Sequence, residues 1–353
     1  MRSFDCVCGA RVFFDNTRCL TCGHELGFLP DKLLLVAFEA GDGNRVTTPF
    51  GPYVKCANYA EHGVCNWLVA EAEMSELCQA CRFNRVIPDL SNPDNRRLWG
   101  EVEQAKRRLV YGLNRLKLPL SPKSEDEDDG LAFDIKADTE GERVLTGHSD
   151  GLITLNLGEA DAATREKMRA SMRERYRTLL GHFRHEVGHY YFRLLVEKGG
   201  PIEDFRALFG DERADYGAAL KAHYEKEQGA PSDAFISAYA AAHPWEDFAE
   251  TFAHYLHMID TLETAHHVGV TLGSKGKPAD GSNLDALLAE WGDLAIALNM
   301  LNRSMGLPDA YPFAITAPVR AKLGFVHRLV REHGNPRAAV RAPARPLTAA
   351  RSA

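Results

Sequence analysis

No run in this 353-residue chain approaches the ~18 consecutive apolar residues of a membrane-spanning helix. A protein that crosses a bilayer on apolar helices is therefore not expected. Met1-Arg2-Ser3-Phe4-Asp5-Cys6 holds no apolar segment of the kind that makes a secretory signal, so a cytoplasmic location is expected. Neither sign of charge is in large excess. The net charge of -7 is mild, which argues against a general nucleic-acid binder. No internal repeat occurs, and no cysteine follows Cys81. What is present, 45% apolar and 26% charged residues, suits a globular protein of one large domain or two smaller ones.

The 8 cysteines have informative spacing. Cys6-x-Cys8 is followed, after ten residues, by Cys19-x2-Cys22, and Cys56 and Cys65 then precede Cys78-x2-Cys81. Without a secretory signal, short paired spacings point to metal sites rather than disulfides. Each group of four can close one tetrahedral Zn²⁺ site with no position left for water. Gly9 and Gly23 directly follow Cys8 and Cys22, where a metal knuckle often needs a positive φ. The second group is less regular, because eight residues separate Cys56 from Cys65, and His62 is an alternative to Cys65 there. The competing reading is a set of buried or redox cysteines. A region of about 90 residues buries little core, and metal would supply the missing stability.

The densest chemistry is His185-Glu186-Val187-Gly188-His189, inside a segment of helical periodicity from Tyr176 to Val196. Residues four apart share a helix face, so both imidazoles can grip one ion. Glu186 follows the first ligand and can reach a water on that ion. Two ligands and a general base from one helical turn are the working parts of a zinc-hydrolase motif. Three fixed positions in five also occur by chance in unrelated helices, so a third ligand has to decide.

Tyr239 to Tyr255 supplies candidates. Trp245, Phe248, Ala249, Phe252 and Leu256 recur at helical spacing, which predicts a second packed helix. Glu246 and Glu250 lie four apart on it. One carboxylate can complete a site of two histidines and one glutamate, while the other holds a ligand imidazole through its free N–H. Tyr239 lies seven residues before Glu246, and its phenol is a candidate donor to the oxyanion of a tetrahedral intermediate. Tyr190, Tyr191, Tyr216 and Tyr255 compete with it, with simple packing as the alternative. His182, His243, His254 and His257 read as surface or capping residues, and His266-His267 as part of a loop.

Along the rest of the chain, Arg11–Phe14, Leu33–Phe38, Leu131–Ile135 and Gly151–Leu157 read as strands. A helix is predicted from Asp94 to Lys117, with Leu98, Val102, Ala105 and Leu109 on one face. Residues 162–198 read as helical with a break near Arg175, as do 203–235, 284–305 and 317–333. The acidic run Ser124–Asp129 reads as a solvated loop. Gly269–Gly281 reads as a loop, and the Pro/Ala/Arg-rich segment 334–353 as a disordered tail.

Together these motifs resemble bacterial zinc-binding metallopeptidases that carry an N-terminal zinc-ribbon domain. The carriers are Cys6-x-Cys8 with Cys19-x2-Cys22, then His185-Glu186-Val187-Gly188-His189, then the stretch from His243 to Leu256. The resemblance implies an α+β, zincin-like architecture. A β-rich zinc-ribbon domain with two four-cysteine sites (1–90) precedes a mostly helical metallopeptidase domain with a small edge sheet (94–333). The strand Gly151–Leu157 is then the candidate to pair with an extended substrate. It further implies one catalytic Zn²⁺ on His185, His189 and Glu246, two structural ions, Glu186 as base and Glu250 behind the ligands. A more distant likeness to lethal-factor-like zinc peptidases matches Tyr239, Glu246 and Phe248-Ala249-Glu250. The chain departs from that pattern at Asp247, where an apolar residue is usual, and in the long insert 190–238.

The expected function is a regulatory or selective zinc endopeptidase acting on a peptide or protein substrate, with the ribbon recruiting a protein partner. The alternative is a non-catalytic interaction module built on the ribbon, with the zincin domain as scaffold. Nucleic acid is the less expected partner, because region 1–90 has no dense basic stripe interleaved with aromatics.

Overall fold

The structure, a computed structural model, is described for residues 2–171, 176–225, 232–270 and 283–334. The antiparallel hairpin β1 (Ser3–Asp5) and β2 (Arg11–Phe13) carries the first cysteine pair in its turn. β3 (Glu25–Leu29), β4 (Leu34–Ala40), β5 (Arg45–Thr48), β6 (Gly51–Lys55) and β7 (Leu68–Ala70) then pair in sequence as an antiparallel meander. The single turn α1 (Ala57–Ala60) leaves β6 at Cys56. Phe28 lies 4.8 Å from Phe14 and 4.9 Å from Trp67, ring to ring. Phe14 in turn meets Tyr111 at 5.2 Å. These aromatics seat the meander on Tyr111, in the helix Pro93–Leu116 that follows the cysteine-rich region.

The join is made by β8 (Asn84–Val86). It belongs to the cysteine-rich stretch, yet it pairs in parallel with β9 (Ala132–Lys136). Between them runs α2 (Pro93–Leu116), started by Asn92, whose side chain accepts from the Asp94 N–H, and by Pro93 at the first turn. Val102, Ala105 and Leu109 of the expected face are buried. β10 (Gly147–Ser149) and β11 (Leu152–Asn156) complete a sheet of order β10-β11-β9-β8. One hydrophobic core extends from Phe4 through Trp67 and Phe133 to Val330.

This topology corrects one expectation. The stretch Gly151–Leu157 forms β11, which is interior, flanked by β9 on one side and β10 on the other. The edge belongs to β10, three residues long with no alternating pattern, and so invisible to a search for strand periodicity.

The helical part follows as α3 (Ala162–Ser171), α4 (Leu179–Tyr191), α5 (Ile202–Phe209), α6 (Tyr216–Glu225), α7 (Pro244–His267), α8 (Leu284–Ser304) and α9 (Ala317–His333). The stretch expected as helix over 203–235 is two short helices, because Gly210 adopts a φ of 102° that ends α5. Residues 226–231 of that stretch lie outside the described residues, as do 172–175 at the expected break, most of the Gly269–Gly281 loop and the tail beyond Gly334. His266-His267 closes α7 rather than lying in a loop, and the His266 ring pairs with Glu290 of α8. The acidic run is also less free than expected. The Asp129 carbonyl accepts from the Tyr190 hydroxyl at 2.8 Å, and its carboxylate pairs with Lys198.

Gly188 explains how α4 and α7 approach so closely. A Cβ built there would meet the Ala249 Cα at 2.8 Å and the Ala249 carbonyl oxygen at 3.0 Å. Glycine costs a helix interior about 1 kcal/mol, and here it is kept because backbone meets backbone. Gly188→Ala is expected to destabilise the fold by about 1–3 kcal/mol through overpacking and to spread the residues that α4 and α7 jointly present. Thermal unfolding together with the zinc content of the variant checks this; an unchanged Tm with full metal would contradict it.

Candidate metal centre and active site

α4 begins where the Thr178 hydroxyl accepts from the Gly181 N–H, and it places His185 and His189 one turn apart. Their rings stand edge to face at 4.8 Å, with the two Nε2 atoms 3.1 Å apart. Directly after them the helix widens into a single π turn, Phe192–Glu197. Such turns are frequent beside functional sites. α7 begins at His243, whose ring accepts from the Trp245 N–H at 3.1 Å, with Pro244 next. This cap puts Glu246 in the first turn, aimed back across α4.

The Glu246 Oε2 atom lies 3.0 Å from His185 Nε2 and 3.4 Å from His189 Nε2. It is buried and accepts no well-directed hydrogen bond. On the far side of His185, Nδ1 lies 2.7 Å from Glu250 Oε1. A proton held on Nδ1 by that carboxylate leaves the Nε2 lone pair facing His189 and Glu246. Three electron-pair donors, each in a different direction, thus converge with all ligand atoms within 4.8 Å of one another. A two-imidazole, one-carboxylate set is a zinc donor set with room for a fourth ligand. The residues fit the ion.

Burial alone would raise the carboxyl pKa values here, but the neighbours win. His185, whose Nδ1 faces it, brings Glu250 down to about 2. The second oxygen of Glu250 accepts from the Ser237 hydroxyl at 2.6 Å, so this residue is fully engaged. Glu250→Gln is expected to weaken zinc binding at this site by about 10–100-fold. A competition titration against a chelator measures it, and an unchanged affinity would remove Glu250 from its supporting place.

Glu186, the base candidate, is buried beside the same cluster. Its Oε1 lies 3.2 Å from His182 Nε2, and its Oε2 has no hydrogen-bond partner. Tyr239, on the short 3-10 turn Tyr239–Ala242, stands with its ring centroid 5.8 Å from that of His185. Burial, then the charge of Glu246, raises its phenol well above the usual value, so it remains a donor. The Tyr216 hydroxyl donates to Glu246 Oε1 at 2.7 Å, an ordering contact rather than the packing role considered for it. A cavity of about 450 Å³ opens beside His189, bounded by His148, Asp150, Phe192, Arg193, Tyr216 and Trp245. Trp245 lies over the His189 ring at 3.8 Å.

The histidines expected on the surface divide. His243 is a helix cap, as expected. His254 is instead buried against the Tyr311 hydroxyl, and the His257 ring faces the Arg184 guanidinium at 3.0 Å. His182 is the residue the sequence reading missed. It sits four residues before Glu186, and that helical spacing was the available signal. Asp247, the residue that departs from the likeness, is buried against Lys322 of α9 and so joins the two helices.

Both cysteine groups also assemble. Among the first four, Cys6 and Cys22 have sulfurs 3.5 Å apart, and Cys8 and Cys19 3.7 Å. In the second, Cys65 lies 3.7 Å from Cys78 and 3.8 Å from Cys81. Zinc–sulfur bonds of about 2.3 Å in a tetrahedron place sulfurs about 3.8 Å apart, so the spacing suits one ion in each. Cys56 completes the second group, and all four of its residues are buried. His62 stands outside it, with its ring 5.5 Å from that of Trp99 and its carbonyl accepting from Arg96. A buried four-thiolate site carries excess negative charge. Arg107 offsets it: burial works against its guanidinium, but the charges of Cys65 and Glu103 hold it ionised.

A family model described as "Putative zinc-binding metallo-peptidase" matches residues 95–329. The chain belongs to this family. A second model, a zinc-ribbon domain, matches residues 3–92. The expected α+β architecture, β-rich and cysteine-rich first and mostly helical after, is what the structure has. Proteins of Mycobacterium bovis and of two Mycobacterium tuberculosis strains, each described as an "Uncharacterized protein", are 43% identical over 342 residues. The alignment spans 94% of this chain and 96% of each relative, so the similarity includes ribbon and metallopeptidase parts together. No solved structure matches the chain. Among the described residues, no helix is long and apolar enough to cross a membrane.

Proposed function

We propose that this member of the metallopeptidase family is a zinc-dependent endopeptidase of the gluzincin type. The observation that carries the reading is the convergence of His185, His189 and Glu246 with an unpartnered Glu186 oxygen beside them. A zinc ion held by His185, His189 and Glu246 would supply an acidified water and polarise the scissile carbonyl. Glu186 takes the proton of the attacking water on its free Oε2 and delivers it to the leaving amine. Tyr239 donates to the developing oxyanion, and Glu250 keeps the His185 ring in register. The free edge of β10, beside α4 and bearing His148, pairs with the extended backbone of the substrate.

The two four-cysteine groups hold structural zinc, in a cytoplasmic protein whose thiols stay reduced. The ribbon serves recruitment. Val7 and Leu20, within the two metal knuckles, are exposed, Leu20 at 98%, and they offer an apolar tip to a protein substrate or partner. The test is metal dependence. Purified protein carrying three zinc ions is incubated with a mixed protein library, stripped mildly of the catalytic ion, then resupplied. Cleavage that stops on removal and returns with stoichiometric Zn²⁺ supports the reading; cleavage indifferent to the metal refutes it.

A further inference from the structure

Glu186 does not stand alone. His182 Nε2 faces its Oε1 at 3.2 Å, and His182 Nδ1 faces Glu159 Oε2 at 2.7 Å. Glu159 lies on the 3-10 turn Leu157–Ala160, directly after β11, so the contact joins the sheet to α4. It is itself buried and held on three sides, by the Thr146 hydroxyl at 2.5 Å, by Arg177 Nη2 at 3.1 Å and by His182. A carboxylate oxygen accepts and does not donate, so a ring between two carboxylates needs a proton on each nitrogen. The charges then alternate along the row from Glu186 through His182 and Glu159 to Arg177 and sum to zero. The neighbouring His185 ring stands off from His182 at 6.4 Å.

The consequence for the base is geometric. A buried carboxylate has two oxygens that can exchange places by rotating the terminal torsion. With Oε1 occupied by His182 and Oε2 unpartnered, one orientation is selected. We propose that His182, held as an imidazolium by Glu159, is a positioning residue for Glu186, fixing Oε1 so that Oε2 alone meets the attacking water. This rests on the assignment of Glu186 as the base. Burial disfavours charge on His182, but Glu159 overrides it and raises the imidazole to about 9, while Glu159 falls to about 2 against the same burial. Proton balance is simple: Oε2 gains and returns the water proton, and both His182 protons stay in place.

Two measurements test the proposal, and one of them needs no turnover. In zinc-loaded protein labelled with ¹⁵N-histidine, both ring nitrogens of His182, assigned by loss of the signals in His182→Leu, are expected to stay protonated from pH 6 to pH 8. In Glu159→Gln that state should be lost by pH 8. A neutral His182 ring at pH 7 in the wild-type protein would overturn the proposal. In kinetics, His182→Leu is expected to lower kcat about 10–100-fold with KM within about twofold and zinc content unchanged. His182→Gln, which keeps one donor toward Glu186, should recover part of the loss. Adding Glu159→Gln to His182→Leu should cost little more, since the two act as a unit. A Glu186→Gln protein that is inactive beside a fully active His182→Leu protein would overturn the positioning role alone. Activity that survives in Glu186→Gln removes the base assignment and this proposal with it.

Discussion

Glu186→Gln is expected to lower kcat by about 100- to 10,000-fold while the protein keeps its fold and all its zinc. The amide is nearly isosteric with the carboxylate, and its oxygen can still accept from His182 at the position of Oε1. The atom replacing Oε2 is an NH2 group, which takes no proton from water at neutral pH. None of the three proposed ligand atoms is touched, because they belong to His185, His189 and Glu246. The variant therefore separates chemistry from metal binding, which a ligand mutation cannot do. Single-turnover rates with metal analysis on the same sample are the measurement. It should also retain bound substrate, which makes it the reagent for capturing the natural substrate from lysate. Loss of zinc in parallel with activity would mean that Glu186 serves the ion rather than the proton.

The second large effect concerns folding. Cys81→Ser is expected to remove the ion from the second cysteine group and to unfold the chain. The apparent binding energy of a structural zinc, about 10–16 kcal/mol, is as large as the roughly 5–15 kcal/mol that holds a domain folded. Geometry makes the loss global. Cys81 is fully buried, and three residues later the chain enters β8, the edge strand that flanks β9, whose Phe133 packs against Phe183 of α4. Arg107, buried in the core, would lose Cys81 from the charges that hold it ionised. Cys8→Ser makes the comparison. Cys8 is exposed, and its group holds together only the β1–β2 hairpin and the loop before β3. There the expected result is a lost ion with a modest fall in Tm and activity largely kept. Circular dichroism melts and zinc stoichiometry of the two variants check the contrast. Equal effects at both sites would contradict it.

The residues that the sequence made legible are those whose chemistry repeats over short spacing. Cys6-x-Cys8, Cys19-x2-Cys22 and the His185–His189 turn each set their own geometry within a few residues, so spacing alone suggested an ion. Glu246 and Glu250 were legible as a pair for the same reason, one helical turn apart. In the structure Glu246 lies toward both Nε2 atoms and Glu250 toward Nδ1 of His185, an arrangement set by how α4 and α7 cross rather than by spacing within α7. Glu159 was not legible. It meets His182 across 23 residues, and nothing near it in the chain marks it out. β10 was missed because three residues carry too little pattern, and its identity as the edge depends on which strand β9 takes as a neighbour. Gly188 reads as a weak spot in a helix until the Ala249 backbone is seen against it.

The parallel pairing of β8 with β9 has a practical consequence for anyone who cuts the chain. The family match begins at residue 95, and that invites expression of the metallopeptidase part by itself. Such a fragment would lack β8, and β9, a strand of buried residues at Ala132, Phe133, Asp134 and Ile135, would be left with unpaired backbone groups along one flank. Strands bared in this way recruit one another and precipitate. A fragment that keeps β1 through β8 retains both metal groups, the meander and the contacts of Phe14 and Phe28 with Tyr111, and should stay dispersed where the shorter one clumps.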